Sequence, residues 1–128
     1  LPEARAGNVR ALGFTRDVDV LLEACDVAVG KAGGLTCSEA LIKGVPLVFF
    51  KPTPGQEVRN ARYLEEAGAA FHANTEEEVE EVVGGLLRDP ESRAQVSANA
   101  SRVAAPHAAE TIARRVLSDI GAARRPGA

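Results

Sequence analysis

A glycine-rich turn in the first third of the chain separates a short apolar run from a segment of helical character. The apolar run covers residues 26–29, the turn reads Gly30-Lys31-Ala32-Gly33-Gly34, and the helical segment continues to residue 43. A helix that begins directly after such a turn presents unpaired backbone N–H groups and about half a positive charge. The strand–turn–helix order therefore predicts an anion site, suited to a phosphate group, above the turn.

Short apolar runs alternate with helical segments along most of the chain. The pattern predicts strands at residues 9–13, 26–29, 46–50 and 69–72. It predicts helices at residues 18–25, 35–43, 57–67, 75–88, 90–103 and 106–121. This alternation is typical of the α/β class, here a Rossmann-like parallel sheet with helices on both faces. Residues 1–121 are interpreted as one domain and residues 122–128 as a flexible tail.

Composition and charge argue against several classes of function. The net charge of −3 gives no support to nucleic-acid binding, which usually needs a basic surplus. No apolar run approaches the roughly 20 residues of a membrane-spanning helix. Cys25 and Cys37 form no metal-binding motif and are expected to be reduced core residues. His72 and His107 are isolated in the sequence, which favours structural roles for both.

The segment after the turn allows two interpretations. It is neither a Walker A loop nor a GxGxxG motif, since Cys25 and Ala32 occupy positions that a Walker A loop needs for other residues. Thr36 and Glu39 have the spacing of a capping box, in which each satisfies a backbone donor of the other. Alternatively, Thr36 donates to a phosphate and Glu39 accepts from two ribose hydroxyls. The residue pattern leaves both interpretations open.

A second candidate group follows the proline-rich loop at residues 52–55. Gln56 and Glu57 offer the donors and acceptors that sugar hydroxyls require, and Asn60 lies one turn further on. Glu57 would equally complement a helix dipole. Because the carboxyl ends of parallel strands meet at one edge of a sheet, the loops at residues 14–16, 31–35 and 51–56 should open together. Lys31 lies near the predicted anion site and is interpreted as facing water.

These motifs resemble one family of proteins. Residues 33–40 read Gly-Gly-Leu-Thr-Cys-Ser-Glu-Ala, and residues 51–61 read Lys-Pro-Thr-Pro-Gly-Gln-Glu-Val-Arg-Asn-Ala. Both stretches resemble the C-terminal domain of family 28 glycosyltransferases, nearest to the diacylglycerol glucosyltransferases and monogalactosyldiacylglycerol synthases. The resemblance is specific from about residue 9 to residue 70 and looser up to the last helix. It implies the donor-binding domain of a GT-B fold.

The resemblance also implies a reaction and a set of site residues. It implies inverting transfer of a hexose from a UDP-hexose donor to a lipid acceptor, with neither a metal nor another cofactor. The implied location is the cytoplasmic face of a membrane, with peripheral contact. By position, a uracil would pack on Phe14 and Thr15, and a ribose would bind Glu39. The full set of implied donor-binding residues is Phe14, Thr15, Gly33, Gly34, Leu35, Thr36, Glu39, Gln56, Glu57 and Asn60.

The resemblance covers only part of the family's fold. It implies that the acceptor domain, the catalytic base and the first two strands of the donor domain precede the present residues. In the strand order 3-2-1-4-5-6, those two strands separate the strand at residues 9–13 from the strand at residues 26–29. We therefore expect this chain to re-pair its strands or to self-associate through a sheet edge, and to be catalytically inert alone.

Several alternatives remain at this point. They are a peptidoglycan-type GlcNAc transferase, a nucleotide-sugar epimerase, and a non-catalytic nucleotide-binding module paired with a separate acceptor chain. The choice among glucose, galactose and GlcNAc as the transferred sugar is also open.

Overall fold

Short strands and longer helices alternate along the chain, as the sequence predicts. A computed structural model describes residues 9–123, with side chains up to residue 121. Its elements, in chain order, are α1 (Val18–Glu23), β1 (Ala28–Gly30), α2 (Gly34–Lys43), β2 (Leu47–Phe50), α3 (Gln56–Glu66), β3 (Ala70–Ala73), α4 (Glu76–Arg88), α5 (Pro90–Val103) and α6 (Ala108–Ala123).

The three strands form one parallel sheet in the order β1-β2-β3. Val29 pairs with Val48, and Val48 pairs with Phe71. Because all three strands run in the same direction, the turns that follow them open on one edge of the sheet, which we call the rim. Residues 31–33 and 51–55 therefore lie at the rim. The predicted fold class, an α/β fold with a parallel sheet, is confirmed.

The core has a layer on each face of the sheet, since side chains alternate along a strand. Leu47 and Phe49 pack on one face with buried residues of α2 and α3. Val48 packs on the other face with Leu86 and other residues of α4. Phe49, Leu47 and Val48 are the largest side chains that are fully buried in the described residues. The sheet is thus covered by helices on both faces.

α5 contributes to both layers. Val96 belongs to the cluster on the α4 face, whereas Ala100, one turn further along α5, belongs to the cluster on the opposite face. Asn99 donates to the carbonyl of Gly68 at 3.1 Å, and Arg93 donates to the carbonyl of Leu86 at 2.8 Å. α5 is therefore bound to the chain segments that enter β3 and leave α4.

The predicted strand at residues 9–13 is wrong. These residues have no regular secondary structure, and Val9 and Leu12 are 65% and 49% exposed. A strand needs a neighbour for its backbone N–H and C=O groups, and none of the described strands lies beside this segment. The segment does not re-pair with β1, so that part of the expectation is also wrong. Self-association through a sheet edge stays a prediction.

The helix ends follow the sequence signals closely. The Thr75 side chain accepts a hydrogen bond from the N–H of Glu78, and Pro90 occupies the first turn of α5, as predicted. α6 continues to Ala123, so the predicted tail begins later than residue 122, and its remainder, residues 124–128, lies outside the described residues. Within residues 9–123, no helix combines the length and the apolar character needed to cross a membrane.

Candidate functional site

The N-terminus of α2 opens at the rim. Gly33 is the N-cap residue and has extended backbone, and the first bond within the helix joins the N–H of Cys37 to the carbonyl of Gly33. The N–H groups of Gly34, Leu35 and Thr36 precede that bond, so they remain available to a ligand. The positive end of the helix dipole lies at the same place. The structure thus forms the turn and helix start on which the predicted anion site depends, and the binding of an anion there stays a prediction.

The capping-box interpretation of Thr36 and Glu39 is wrong. Thr36 is the third residue of α2 instead of its N-cap residue, and Gly33 has no side chain with which to cap the helix. Among the described residues, neither side chain forms a hydrogen bond, and both are exposed. Their polar groups are therefore free to bind a ligand.

Thr36 and Glu39 lie on the flank of α2 that faces α1. Lys43 is on the same helical face, because residues at i, i+3 and i+7 align along a helix. The Lys43 ammonium forms an ion pair with Glu23 of α1 at 2.7 Å, and α1 packs against α2. This ion pair joins the last turns of the two helices, at the edge of the sheet opposite the rim.

Phe14 and Thr15 precede α1 and line a hollow of about 280 Å³ together with Arg10, Leu12, Val20 and Leu21. The ring of Phe14 is 95% exposed, which is unusual for a large apolar side chain and leaves its face open to a planar ligand. The hydroxyl of Thr15 accepts a hydrogen bond from the N–H of Asp17 at 3.0 Å and so helps to shape the turn into α1. This hollow is formed by α1 and the segment that precedes it, and α1 in turn packs against α2.

Gln56 and Asn60 belong to α3 and lie beside the flank of α2 that faces α3. With Gly34, Ser38 and Tyr63 they line a hollow of about 180 Å³ between α2 and α3. The amide nitrogen of Gln56 lies 3.6 Å from the position that a Cβ atom would occupy on Gly34. The first turns of α2 and α3 are therefore in close proximity at the rim.

Two of the predicted sugar-binding residues form hydrogen bonds within the protein. Asn60 donates to the carbonyl of Ala32 at 2.8 Å and is half-buried. The Glu57 carboxylate accepts the N–H of Thr53 at 2.6 Å, across its own loop. The hydrogen bond from Thr53 lowers the pKa of Glu57, and the Lys31 charge contributes to the same shift. Both residues thus organise the rim, while the side chain of Gln56 forms no hydrogen bond with another described residue.

Lys31 and Lys51 are rim residues whose roles the sequence did not reveal. The Lys31 ammonium donates to the backbone carbonyl of Lys51 instead of facing only water. Lys51 has a φ of +46°, in the left-handed region that favours glycine, although proline follows it. Neither the Lys31 hydrogen bond nor the Lys51 conformation has a sequence signal, because both depend on how two separate loops meet in space.

The predicted site residues do not share one hollow. Phe14 and Thr15 line one described hollow, Gly34, Gln56 and Asn60 line another, and Thr36 and Glu39 line neither. Gln56 and Asn60 lie beside the flank of α2 that faces α3, Thr36 and Glu39 lie on the flank that faces α1, and the first N–H groups of α2 lie between them. Such an arrangement suits an extended ligand with an anionic centre and two different ends.

Among the other reactive groups, Cys37 lines the hollow between α2 and α3. Cys37 is buried, whereas Cys25 is exposed, so the prediction that Cys25 is a core residue is wrong. Burial raises the pKa of the Cys37 thiol. The Nε2 atom of His72 is buried without a hydrogen-bond partner in the described part of the chain. Across residues 9–123, no three His, Cys, Asp or Glu side chains gather closely enough to hold a metal ion.

Known proteins are similar in sequence to this chain over most of its length. The glycosyltransferase family 28 C-terminal domain matches residues 3–114. Three relatives are each named processive diacylglycerol beta-glucosyltransferase. The relative from Bacillus pumilus (strain SAFR-032) is 34% identical over 117 residues, which cover 91% of this chain and 30% of that protein. The relative from Bacillus subtilis (strain 168) is 35% identical over 118 residues, which cover 91% and 31%.

The third relative, from Staphylococcus aureus (strain JH9), is 32% identical over 119 residues, which cover 93% of this chain and 30% of that protein. The chain therefore spans less than a third of the length of the relatives it matches.

Proposed function

Because the chain belongs to the glycosyltransferase family 28 C-terminal domain family, we propose that it binds the nucleotide-sugar donor of a lipid-directed glycosyltransferase. The donor would be a UDP-hexose and the acceptor a lipid such as diacylglycerol. The relatives' printed name, processive diacylglycerol beta-glucosyltransferase, supports this choice of acceptor. The observation that carries the proposal is the order of chemical groups across the start of α2.

The flank of α2 that faces α1 matches the nucleoside half of such a donor. An exposed aromatic ring such as Phe14 stacks on a nucleobase, a contact that contributes about 1–3 kcal/mol. The Glu39 carboxylate has two acceptor oxygens, which suit the two hydroxyls of a ribose. Between the flanks, the N–H groups of Gly34, Leu35 and Thr36 suit the diphosphate.

The flank that faces α3 matches the hexose half. Gln56 presents an amide with both donors and acceptors beside Gly34, so a sugar joined to the diphosphate would reach it directly. Glu57 and Asn60 would support this contact indirectly, since their polar groups bind Thr53 and Ala32. We expect the same residues to accept glucose or galactose, because one hydroxyl orientation separates the two sugars.

The proposed chemistry is an inverting transfer. The acceptor hydroxyl oxygen attacks the anomeric carbon from the face opposite the diphosphate, and the bond from that carbon to the phosphate oxygen breaks. UDP leaves with the electron pair, and the proton passes to a base that we expect outside these 128 residues. The N–H groups at the start of α2 would stabilise the developing charge on UDP, so we propose that no metal is required.

Titration calorimetry tests the proposal directly. UDP, UDP-glucose, UDP-galactose and UDP-GlcNAc are titrated into the 128-residue chain, into Glu39→Ala and into the control Glu65→Ala. Glu65 is an exposed carboxylate on α3, so its removal changes the charge equally. We expect Glu39→Ala alone to weaken UDP binding about tenfold, as loss of a hydrogen bond to a charged group implies. Equal binding by both variants would refute the assigned role of Glu39.

Two further expectations follow from the proposed function. EDTA should leave UDP binding unchanged, whereas a loss of binding that Mg²⁺ restores would contradict metal-free donor binding. The 128-residue chain should transfer no sugar alone, because the proposed base and acceptor site lie elsewhere. We also propose that transfer takes place at the cytoplasmic face of a membrane, since the acceptor is a lipid.

A further inference from the structure

Two side-chain tethers connect the glycine-rich turn to the chain segment at residues 51–60, which contains the proline-rich loop and the start of α3. From the turn, the Lys31 ammonium donates to the carbonyl of Lys51, where the proline-rich loop begins. From α3, the Asn60 amide donates to the carbonyl of Ala32 in the turn. Each segment therefore binds the backbone of the other. Because one segment leads into α2 and the other into α3, the tethers fix the relative placement of the two helix starts.

The Lys51 backbone is held from two sides. Its N–H donates to the carbonyl of Ala73 at the end of β3, and its carbonyl accepts from Lys31. Its φ of +46° is unfavourable for a residue with a Cβ atom, so the conformation persists only where surrounding contacts impose it. The turn at Lys51 sets the direction in which residues 52–55 approach α3. The Lys31 tether is thus placed where it controls Gln56.

We propose that Lys31 is a positioning residue that holds the strained turn at Lys51 and thereby places Gln56 against the hexose end of the donor. This assignment rests on the proposed function for its ligand, but the tether itself is a property of the free protein. Lys31 acts here through the loop and does not contact the diphosphate. An alternative is that the ammonium binds the diphosphate directly, as its position beside α2 would allow.

The first experiment measures the tether without any ligand. Amide hydrogen exchange is followed residue by residue by NMR in the wild-type chain and in Lys31→Met. The reporters are the amides of Lys51 and Thr53, which are hydrogen-bonded in the loop. The internal control is the amide of Asn74, which donates to the Glu78 carboxylate at 2.6 Å in an equivalent arrangement after β3.

We expect the Lys51 and Thr53 amides to exchange about tenfold faster in Lys31→Met, since a hydrogen bond from a charged donor is lost. The Asn74 amide should exchange at its wild-type rate. Lys31→Arg retains a charged donor and should restore slow exchange. Unchanged exchange at Lys51 and Thr53 in Lys31→Met would overturn the proposal.

The second experiment separates positioning from direct binding. Dissociation constants are measured for UDP and for UDP-glucose, and their ratio gives the gain in affinity from the hexose. If Lys31 positions Gln56, Lys31→Met reduces this gain about fivefold, as loss of one hydrogen bond to the sugar implies, and leaves UDP affinity nearly unchanged. If Lys31 binds the diphosphate, both ligands weaken equally and the ratio stays constant, which overturns the proposal.

Arg59→Met is the matched control for charge. Arg59 is an exposed cation on α3 whose side chain forms no hydrogen bond or ion pair with another residue in the described range, 9–123. Its replacement should alter neither the exchange rates nor the ratio. A wild-type chain that binds neither UDP nor UDP-glucose refutes the proposed function, whereas the exchange experiment decides the tether independently.

Discussion

The substitution Gly34→Ala adds a methyl group and should leave the stability of the fold unchanged but weaken ligand binding. The φ of Gly34 is not positive, and an added Cβ atom would meet only the Gln56 amide nitrogen, at an ordinary contact distance of 3.6 Å. Alanine is also favoured over glycine in helices, by up to about 1 kcal/mol. We therefore expect Gly34→Ala to fold as stably as the wild type, with a melting temperature within about 4 °C of it.

The same methyl group should oppose donor binding. It would project from the first residue of α2, where the proposed diphosphate must approach the backbone N–H groups at about 2.9 Å. Loss of one hydrogen bond to a charged group costs about 1.5–3 kcal/mol, which corresponds to a 10- to 150-fold weaker affinity for UDP. Titration calorimetry measures this change. UDP affinity equal to that of the wild type would refute close approach of the diphosphate to residue 34.

Gly44→Ala is the mirrored control at the other end of α2. Gly44 has a φ of +67°, and an added Cβ atom would lie 2.8 Å from the Ser97 hydroxyl. The left-handed conformation alone costs a residue with a side chain about 1–2 kcal/mol, so the melting temperature should fall by about 4–8 °C. The folded protein should bind UDP normally, because Gly44 lies at the opposite end of the helix. A loss of affinity without a loss of stability would contradict this assignment.

Three further changes test separate parts of the structure. Phe14→Ala should weaken binding of uridine and of UDP by the same factor, about 5- to 150-fold, and calorimetry with both ligands will show whether the loss depends on the diphosphate. Asp89→Ala removes the acceptor for the N–H groups of Glu91 and Ser92, so urea denaturation should show a free energy of unfolding lower by about 1 kcal/mol. An unchanged free energy of unfolding would contradict this capping role.

Glu57 has a lowered pKa in the folded chain, so the unfolded chain binds more protons as the pH falls. The contribution of Glu57 to stability is therefore present above the ordinary value of about 4.5 and is lost as the pH falls below it through the lowered pKa. Glu57→Gln should therefore flatten the acid side of a stability–pH curve, and an identical curve would contradict the bond to Thr53.

Most of the fold could be predicted from the sequence because its signals are local. The apolar runs before Gly30 and Lys51, the turn at Gly44 and the cap at Thr75 each lie next to the element that they define. The segment at residues 9–13 has the same local character but forms no strand. Local pattern specifies a strand only where a partner strand is present, and β1 does not pair with this segment.

The candidate site was predicted in part. The rim placement of Gly34 and Gln56 followed from the parallel order of the strands. The internal hydrogen bonds of Glu57 and Asn60 did not, since a sequence lists polar groups without showing which partners they find. Lys31 illustrates the same limit of local pattern, because its acceptor is a backbone carbonyl 20 residues away.

The double attachment of α5 has a consequence for how the domain comes apart. Val96 and Ala100 anchor one helix in both layers, so neither layer can open without disturbing the other. We therefore expect residues 28–103 to melt as one cooperative unit. By contrast, all described side chains of α6 are exposed, so this helix can fray at little energetic cost while the rim stays intact.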